Sequence, residues 1–263
     1  MIEIHVVDAF TEETFKGNPA GVVILSADRD SAWMQNVAAE MRHSETAFVV
    51  LGDRQQEGGI PIRWFTPEAE VDLCGHATLA AAHVLGGKRE FLARRSGRLT
   101  CVAQDGWIEM DFPADPLRRI EPSDELAGCF GDVAIEAVAR GRDDILVQVS
   151  TEEALRGIEP DFDRIVELSE RLTARGFIVT AKGSGECSFV SRCFYPAVGV
   201  PEDPVTGSAH CTLASWWSPI LGESVMLAEQ ASSRGGRLRL RLEGDRVRLS
   251  GQAVSVLRGE LLA

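Results

Sequence analysis

The stretch Gly75-His-Ala-Thr-Leu-Ala-Ala-Ala-His-Val-Leu85 decides the fold of this chain, because almost all of its residues are small and apolar. Such a helix has no polar stripe, and this is typical of a helix that is buried on every side. A second stretch, Gly207-Ser-Ala-His-Cys-Thr-Leu-Ala214, repeats the initial Gly and the small residues that follow it. Each stretch therefore predicts a central, buried helix.

The two helical stretches belong to a longer internal repeat. Arg63-Trp-Phe-Thr-Pro67 precedes the first stretch, and Arg192-Cys-Phe-Tyr-Pro196 precedes the second. The distance from the Pro to the Gly is 8 residues in the first copy and 11 in the second, so the alignment needs a short insertion. In each copy a strand ends at Phe-x-Pro, an acidic loop follows, and a small-residue helix begins at the Gly.

The repeat divides the chain into an N-terminal α/β half, residues 1–115, and a C-terminal α/β half, residues 116–263. A proline-rich segment, residues 113–122, lies at the boundary and is the best linker candidate. Apolar residues recur with periods of two and of 3.6 on both sides of the boundary, which predicts the α/β class.

The same periodicities predict the individual elements. Helices are predicted at residues 30–41, 75–85, 125–130 and 163–175, and strands at 2–7, 20–25, 44–51, 60–65, 100–102, 107–112, 145–149, 176–180 and 188–194. Gly17 and Asn18 predict a turn between the first two strands, and Gly58 with Gly59 predicts a chain break. Residues 237–250 predict a hairpin whose Arg side chains lie on a solvated face, with an anion-binding patch as the alternative.

Composition excludes several classes of partner. The 263 residues carry a formal net charge of −13, and this argues against nucleic acid because backbone binding needs clustered cations. No apolar run approaches the roughly 18 residues of a membrane span, and the first residues lack the features of a signal peptide. The six Cys residues have no C-x-x-C spacing. We therefore predict reduced thiols, a cytoplasmic protein and no membrane partner.

The two predicted helix starts favour a small anionic ligand. The start of a helix presents unpaired backbone N–H groups and a partial positive charge, and Gly allows a ligand to approach the backbone closely. Gly75 and Gly207 each begin such a helix. Facing each other across a cleft between the halves, they would hold a small carboxylate substrate.

Glu45 and His76 are the acid/base candidates of the N-terminal half. Glu45 lies between the first predicted helix and an apolar strand, so its carboxyl is expected to be partly desolvated and suited to removing and returning protons. A surface or helix-capping Glu is the alternative. His76 follows Gly75 at the first helix start. His43 is another possible acid/base group, although a lone His is more often structural.

Asp203, Ser208 and Cys74 complete the candidate set. Asp203 precedes the second helix and can orient a substrate amine or hydroxyl, or it can simply form an Asx-Pro turn. Ser208 occupies the position after Gly207 that His76 occupies after Gly75. Cys74 precedes the first helix start, where a thiol nucleophile or base is one interpretation and a buried spacer is the other.

These residues lie in motifs that resemble the phenazine-biosynthesis isomerase family (PhzF-like), which has the diaminopimelate-epimerase-like fold. The ordered motifs are Val6-Val-Asp-Ala-Phe10, Gly17-Asn-Pro-Ala-Gly21, Ser44-Glu-Thr-Ala-Phe48, Phe65-Thr-Pro-Glu-x-Glu70, Asp72-Leu-Cys-Gly-His-Ala-Thr78 and Asp203-Pro-Val-Thr-Gly-Ser-Ala209. Residues 251–261 also resemble the C-terminal ending of the family.

The resemblance implies two pseudo-symmetric α/β halves, each a curled mixed β-sheet around a central helix, with the last strand free to cross back to the first half. It implies a homodimeric isomerase that needs no cofactor and no metal. Glu45 would be the general acid/base that moves a proton along a small amino or hydroxy acid, and His76 or Asp203 is expected to assist it as a catalytic residue. The positions that bind and orient the substrate would be Gly75, His76, Asp203, Gly207 and Ser208.

One departure from related enzymes leaves alternatives open. Diaminopimelate epimerases and proline racemases use two thiols, one at each helix start, whereas this chain has Cys74 at the first start and no Cys directly before Gly207. A symmetric two-thiol mechanism is therefore disfavoured. A one-thiol epimerase that uses Cys74 remains the second hypothesis, and a non-catalytic binding protein on the same fold is the third.

Overall fold

The computed structural model describes residues 2–52 and 59–262. Gly58, half of the predicted chain break, lies outside the described residues. The chain forms two compact units: unit 1 comprises residues 1–111 together with 250–263, and unit 2 comprises residues 112–249.

The elements alternate strands with a small number of helices. In chain order they are β1 (Ile2–Ala9), β2 (Asn18–Leu25), α1 (Ser31–Met41), β3 (Glu45–Val50), β4 (Ile60–Phe65), β5 (Glu70–Val71), α2 (Gly75–Leu85), β6 (Lys88–Ala93), β7 (Gly97–Gln104), β8 (Trp107–Pro113), β9 (Arg118–Ile120), α3 (Asp124–Ala127), β10 (Ile135–Arg140), β11 (Asp144–Val149), α4 (Glu152–Arg156), α5 (Phe162–Leu172), β12 (Gly176–Lys182), β13 (Phe189–Tyr195), a 3₁₀ turn (Pro196–Val198), β14 (Val200–Asp203), α6 (Gly207–Leu221), β15 (Val225–Gln230), β16 (Gly236–Glu243), β17 (Arg246–Gly251) and β18 (Ala253–Leu261).

Unit 1 is a mixed sheet with α2 as its central helix. β1 pairs antiparallel with both β2 and β18, β2 pairs parallel with β3, and β3 pairs antiparallel with β4. β4 continues parallel to β6, which leads antiparallel into β7 and β8. Helix α2 packs against β1, β2, β3, β6, β7 and β18. Every side chain from His76 to Ala82 is buried, so the prediction of a helix buried all round is confirmed.

Helix α1 covers part of the same sheet with one apolar face. Asp30 begins it by accepting a hydrogen bond from the Trp33 backbone N–H at 2.8 Å. The helix ends at Arg42, which has a left-handed φ of 55°. Its apolar residues pack with Ile4, Val23, Leu25, Phe48 and Phe65, as the 3.6 periodicity predicts; they are Trp33, Met34, Val37, Ala38 and Met41.

Unit 2 repeats this strand order. β10 pairs antiparallel with β9 and β11, β11 pairs parallel with β12, and β12 pairs antiparallel with β13. β13 continues parallel to β15, which leads antiparallel into β16. Helix α6 packs against β15 and β16. The internal repeat therefore describes two copies of one topology.

The repeat extends to a charged pair in each unit. Arg63 on β4 donates two hydrogen bonds to Glu70, both of 2.7 Å. Arg192 on β13 donates two to Glu202, of 2.8 and 3.0 Å. Each guanidinium also lies 5.0 Å from the ring of the Phe two residues further along. The R-x-F-x-P echo thus preserves an Arg that fixes the acidic segment before the central helix, buried in the first copy and partly buried in the second.

Several predicted elements need correction. The proline-rich segment 113–122 contains strand β9, which pairs with β10. The prolines of the segment lie outside residues 118–120, so the backbone N–H groups of these three residues can form the pairing. The helix predicted at 163–175 spans Phe162–Leu172, because Thr173 adopts a left-handed φ of 52° and caps it. Strands β5, β6, β10, β14 and β15 and helix α4 were not predicted.

The C-terminal hairpin agrees with its prediction. Strands β16 and β17 are separated by Gly244 and Asp245, and Gly244 has a φ of +61°, a conformation that favours Gly. On β16 the side chains of Leu238 and Leu240 are buried, whereas those of the intervening Arg residues are exposed. Those Arg residues therefore form the solvated face of a half-buried strand. No helix in the described part of the chain is long and apolar enough to span a membrane.

Candidate active site

Glu45, Cys74 and His76 lie together in unit 1. Glu45 is the first residue of β3, Cys74 is the residue that caps α2, and His76 is in the first turn of α2. His76 Nε2 lies 3.4 Å from a Glu45 carboxylate oxygen, and His76 Nδ1 lies 3.5 Å from Cys74 Sγ. The imidazole therefore contacts the carboxylate with one nitrogen and the thiol with the other.

Two further polar residues support this arrangement. The Ser44 hydroxyl lies 3.3 Å from His76 Nε2 and donates a hydrogen bond of 3.1 Å to the Asn18 side-chain oxygen. Asn18 begins β2 and is fully buried. Because β2 and β3 pair in parallel, with Ala20 opposite Glu45, the starts of both strands lie beside the start of α2.

The turn before β2 depends on Gly17. Its φ is +62°, and a Cβ at this position would lie 2.1 Å from the Ala9 carbonyl oxygen. A side chain is therefore excluded on both conformational and steric grounds. Gly17 sets the point at which β2 begins and so places Asn18.

Exposure differs among the three groups in a way that suits proton transfer. The Glu45 side chain is 21% exposed, whereas the His76 side chain is 8% exposed. Cys74 is also buried. A small ligand can thus reach the carboxylate directly, while the imidazole and the thiol support it from the protein side. In chemical terms, a partly exposed carboxylate beside a buried imidazole is a pair that can accept and share a proton.

The start of α2 also offers backbone donors. Cys74 has extended backbone geometry, and its side chain forms no capping hydrogen bond to α2. The Thr78 hydroxyl donates to the Cys74 carbonyl at 2.6 Å, which fixes the first turn. The N–H groups of the first turn and the helix dipole therefore face the same region as Glu45.

In unit 2, the other predicted site residues surround the start of α6. The Asp203 carboxylate accepts a hydrogen bond of 2.5 Å from the Thr206 hydroxyl. Gln230 holds the same turn by accepting from the Thr206 N–H at 2.8 Å and donating to the Asp203 carbonyl at 2.7 Å. Gly207 is buried and Ser208 is exposed. The hydrogen bond from Thr206 agrees with the alternative interpretation of Asp203, in which this residue forms the turn before the helix.

Arg175 is a polar neighbour of Ser208 that sequence reasoning missed. It donates to the Ser208 hydroxyl at 3.1 Å and to both oxygens of buried Asp144, at 2.9 and 2.5 Å. Its guanidinium lies 4.6 Å from the Tyr195 ring. Burial raises the pKa of Asp144, and the hydrogen bonds from Arg175 oppose that effect. From the sequence, Arg175 was expected to be the last residue of a helix. In the structure that helix ends at Leu172, and no sequence motif around Arg175 indicates a functional role.

All six Cys residues are free, as the spacing predicts, and all six are buried. Burial raises the pKa of Cys101 and of Cys211 to about 12. Only Cys74, among the thiols of the described chain, lies in a group with both a His and a carboxylate that are close enough to share a ligand.

Comparison with known proteins defines the class of enzyme. An uncharacterized isomerase of Halalkalibacterium halodurans is 48% identical over 268 residues, covering 98% of each chain. The crystal structure of a phenazine biosynthesis protein of the PhzF family from Enterococcus faecalis has a TM-score of 0.93 and 38% identity, and it covers 100% of this chain and 99% of that one. The fold and these relatives define an enzyme of the isomerase class.

The model of the phenazine biosynthesis-like family (PhzC-PhzF) matches residues 7–259. The chain therefore belongs to the phenazine biosynthesis-like protein family, and the resemblance drawn from its motifs is confirmed. A hydroxyproline epimerase from Agrobacterium vitis has the same fold at 9% identity, with a TM-score of 0.60 over 98% of this chain and 91% of that one. The predicted diaminopimelate-epimerase-like α/β fold is confirmed as well.

Proposed function

We propose that this isomerase moves a proton within a small carboxylic acid that carries an amino or hydroxyl group, with Glu45 as the general acid/base. The observation that carries the proposal is the contact of 3.4 Å between the partly exposed Glu45 carboxylate and the buried His76 imidazole. The chemistry requires a positioned base and no redox or group-transfer step, so the proposal involves no cofactor.

The proposed reaction has two proton transfers. The Glu45 carboxylate removes a proton from a substrate carbon that adjoins a C=C bond, and the electron pair of the broken C–H bond moves into that π system as the double bond shifts. Glu45 then returns the proton to a different carbon, which restores the charge of the enzyme. His76 supports the protonated and ionised forms of Glu45 in turn, and a general base of this kind contributes about 10²–10⁴-fold in rate.

Substrate binding is assigned to the helix starts. The N–H groups that follow Gly75 suit a carboxylate, because the helix dipole adds a partial positive charge beside Glu45. The resemblance to the family supports Asp203, Gly207 and Ser208 as further substrate contacts, with Asp203 orienting an amine or hydroxyl.

Exchange of substrate hydrogen with solvent tests the role of Glu45. A thermal-shift screen of small amino and hydroxy acids identifies binders, and NMR in D₂O then follows loss of their C–H signals. We expect exchange with the wild type and a loss of at least about 100-fold in Glu45→Gln. Glu40→Gln is the matched control, since Glu40 is exposed on α1. Equal exchange rates in Glu45→Gln and the wild type would remove Glu45 from the mechanism.

A one-thiol epimerase that uses Cys74 is the second candidate, supported by the distance of 3.5 Å between Cys74 Sγ and His76 Nδ1. Replacement of Cys74 separates the two hypotheses. If the thiol is the base, Cys74→Ala is inactive and iodoacetamide inactivates the wild type. If Glu45 is the base, Cys74→Ala retains the same exchange reaction.

We also propose a cytoplasmic homodimer on the family resemblance. The chain has a mass of 28.6 kDa. Light scattering coupled to size exclusion is expected to give a particle of twice that mass, and a monomer mass at micromolar concentration would contradict the dimer.

A further inference from the structure

We propose that Glu45, Cys74 and His76 form a binding site for one Zn²⁺ ion and that the ion reversibly inhibits the enzyme. The binding site stands on geometry alone. The inhibition rests on the proposed function, because it requires Glu45 to be the acid/base group.

The distances fit a zinc site with little movement. One donor atom from each of the three residues lies within 4.8 Å of the others. In a tetrahedral zinc site, with bonds to sulfur, nitrogen and oxygen near their usual lengths, neighbouring ligand atoms are about 3.3–3.8 Å apart. The separation of 3.5 Å between Cys74 Sγ and His76 Nδ1 already has this value. The Glu45 carboxylate contacts Nε2 in the structure, so this partly exposed side chain has to move toward the Nδ1 side of the ring as the ion binds.

The donor set also fits the charge and hardness of zinc. A thiolate, a neutral imidazole and a carboxylate are all zinc ligands, and the thiolate favours zinc over magnesium or calcium. Two negative charges from Cys74 and Glu45 balance the charge of the ion. Cys74 and His76 are more than nine-tenths buried, so the ion is held largely away from solvent. The fourth position remains for water or a substrate carboxylate.

Ser44 supplies the outer contact that zinc-bound His residues usually have. When His76 binds the ion through Nδ1, its Nε2 keeps the contact of 3.3 Å with the Ser44 hydroxyl. Ser44 in turn donates to buried Asn18. This chain of contacts fixes the ring orientation that brings Nδ1 to the thiol.

The inhibition follows from the chemistry of binding. The Cys74 thiol releases one proton as the Zn–S bond forms, and a Glu45 oxygen forms a Zn–O bond with the lone pair that would otherwise accept the substrate proton. The ion and the carbon acid therefore compete for one carboxylate. Removal of the ion by a chelator restores both the thiol and the free carboxylate.

Cobalt(II) titration tests the site without any assay of turnover. Metal-free protein is titrated with Co²⁺, and the near-ultraviolet absorption that arises from a thiolate–cobalt bond is followed together with the visible bands. We expect one Co²⁺ per chain and full displacement by one equivalent of Zn²⁺. Loss of one ligand is expected to weaken binding at least about tenfold in His76→Asn and Glu45→Gln. The thiolate band is expected to disappear in Cys74→Ser.

Cys187→Ser is the matched control, because Cys187 is another buried thiol outside the group, and it is expected to keep the full cobalt spectrum. Circular dichroism confirms that each variant is folded. A thiolate band that persists in Cys74→Ser, or the absence of any band in folded wild type, overturns the site. If cobalt binds as expected but no acid exchanges hydrogen, the zinc site stands and the proposed function fails. If exchange occurs but saturating Zn²⁺ leaves its rate unchanged, the inhibition is wrong.

Discussion

Acidification is expected to destabilise unit 2 through one buried histidine, His210 on α6. The residue is fully buried, and its ring stacks on Phe189 with centroids 6.2 Å apart. Its Nδ1 lies 2.8 Å from the Thr206 carbonyl oxygen and donates to it, whereas its Nε2 has no hydrogen-bond partner among the described residues. A proton on Nε2 would thus create a cation in an apolar environment.

The magnitude follows from the pKa. Burial lowers the pKa of His210 from the ordinary 6.5 to about 4. Between these values the unfolded chain binds a proton that the folded protein does not, so stability falls as the pH decreases from about 6.5 to about 4. At 1.36 kcal/mol per pKa unit, the total effect is about 3 kcal/mol.

Urea unfolding at a series of pH values measures this effect. Tryptophan fluorescence follows the unfolding, and Trp217, whose indole ring stacks on Phe189 at 6.0 Å, contributes the signal from the surroundings of His210. His210→Gln keeps a side-chain donor and removes the titration, so all other titrating groups cancel in the comparison with the wild type. We expect the free-energy difference between the two proteins to change by about 3 kcal/mol from pH 7.5 to pH 4. A difference that stays constant within about 0.5 kcal/mol would refute the reasoning.

Three further outcomes are expected. Asp144→Asn removes the buried carboxylate that pairs with the partly exposed Arg175, and it should lower the free energy of unfolding by about 2–4 kcal/mol. The control Asp143→Asn, on the adjacent exposed residue, should change the free energy of unfolding by less than about 0.5 kcal/mol. Hydrogen bonds from Arg63 lower the pKa of Glu70, so this pair stabilises the fold above pH 4.5 and loses that effect as the pH falls below it; urea unfolding of Glu70→Gln should show a weaker dependence in that range. Burial raises the pKa of Cys101 to about 12, so mass spectrometry should find Cys101 unmodified by iodoacetamide at pH 7.5 until the protein unfolds.

Long periodic segments could be predicted from the sequence because their own residues determine them. Helix α2 has the same bounds in the prediction and in the structure, and α1 packs with the predicted face. Several of the missed strands, such as β5, β6 and β14, are short or polar, and they form because a neighbour offers free backbone groups. β9 is an example: three residues between prolines become a strand only because β10 lies beside them. Pairing of this kind depends on tertiary structure, which local periodicity does not describe.

In the candidate site, too, contacts between residues near each other in the sequence could be predicted, whereas contacts made by tertiary structure could not. Cys74 and His76 are two residues apart at a helix start, so their proximity follows from the sequence. Glu45 is brought to them by the parallel pairing of β2 and β3, and the motifs suggested this only through the family resemblance. Arg175 was missed because its place depends on the left-handed cap at Thr173, which ends the helix early and frees the side chain to reach Ser208.

The position of His76 links the fold to the chemistry more closely than any single motif does. The first turn of α2 lies beside the starts of β2 and β3, next to Asn18, Ser44 and Glu45. Partners on both nitrogens stabilise the buried imidazole, because each unsatisfied group would cost about 1–3 kcal/mol. The thiol and the carboxylate are those partners. The proposed proton transfer and the proposed metal site therefore rest on the same two contacts that satisfy the buried ring.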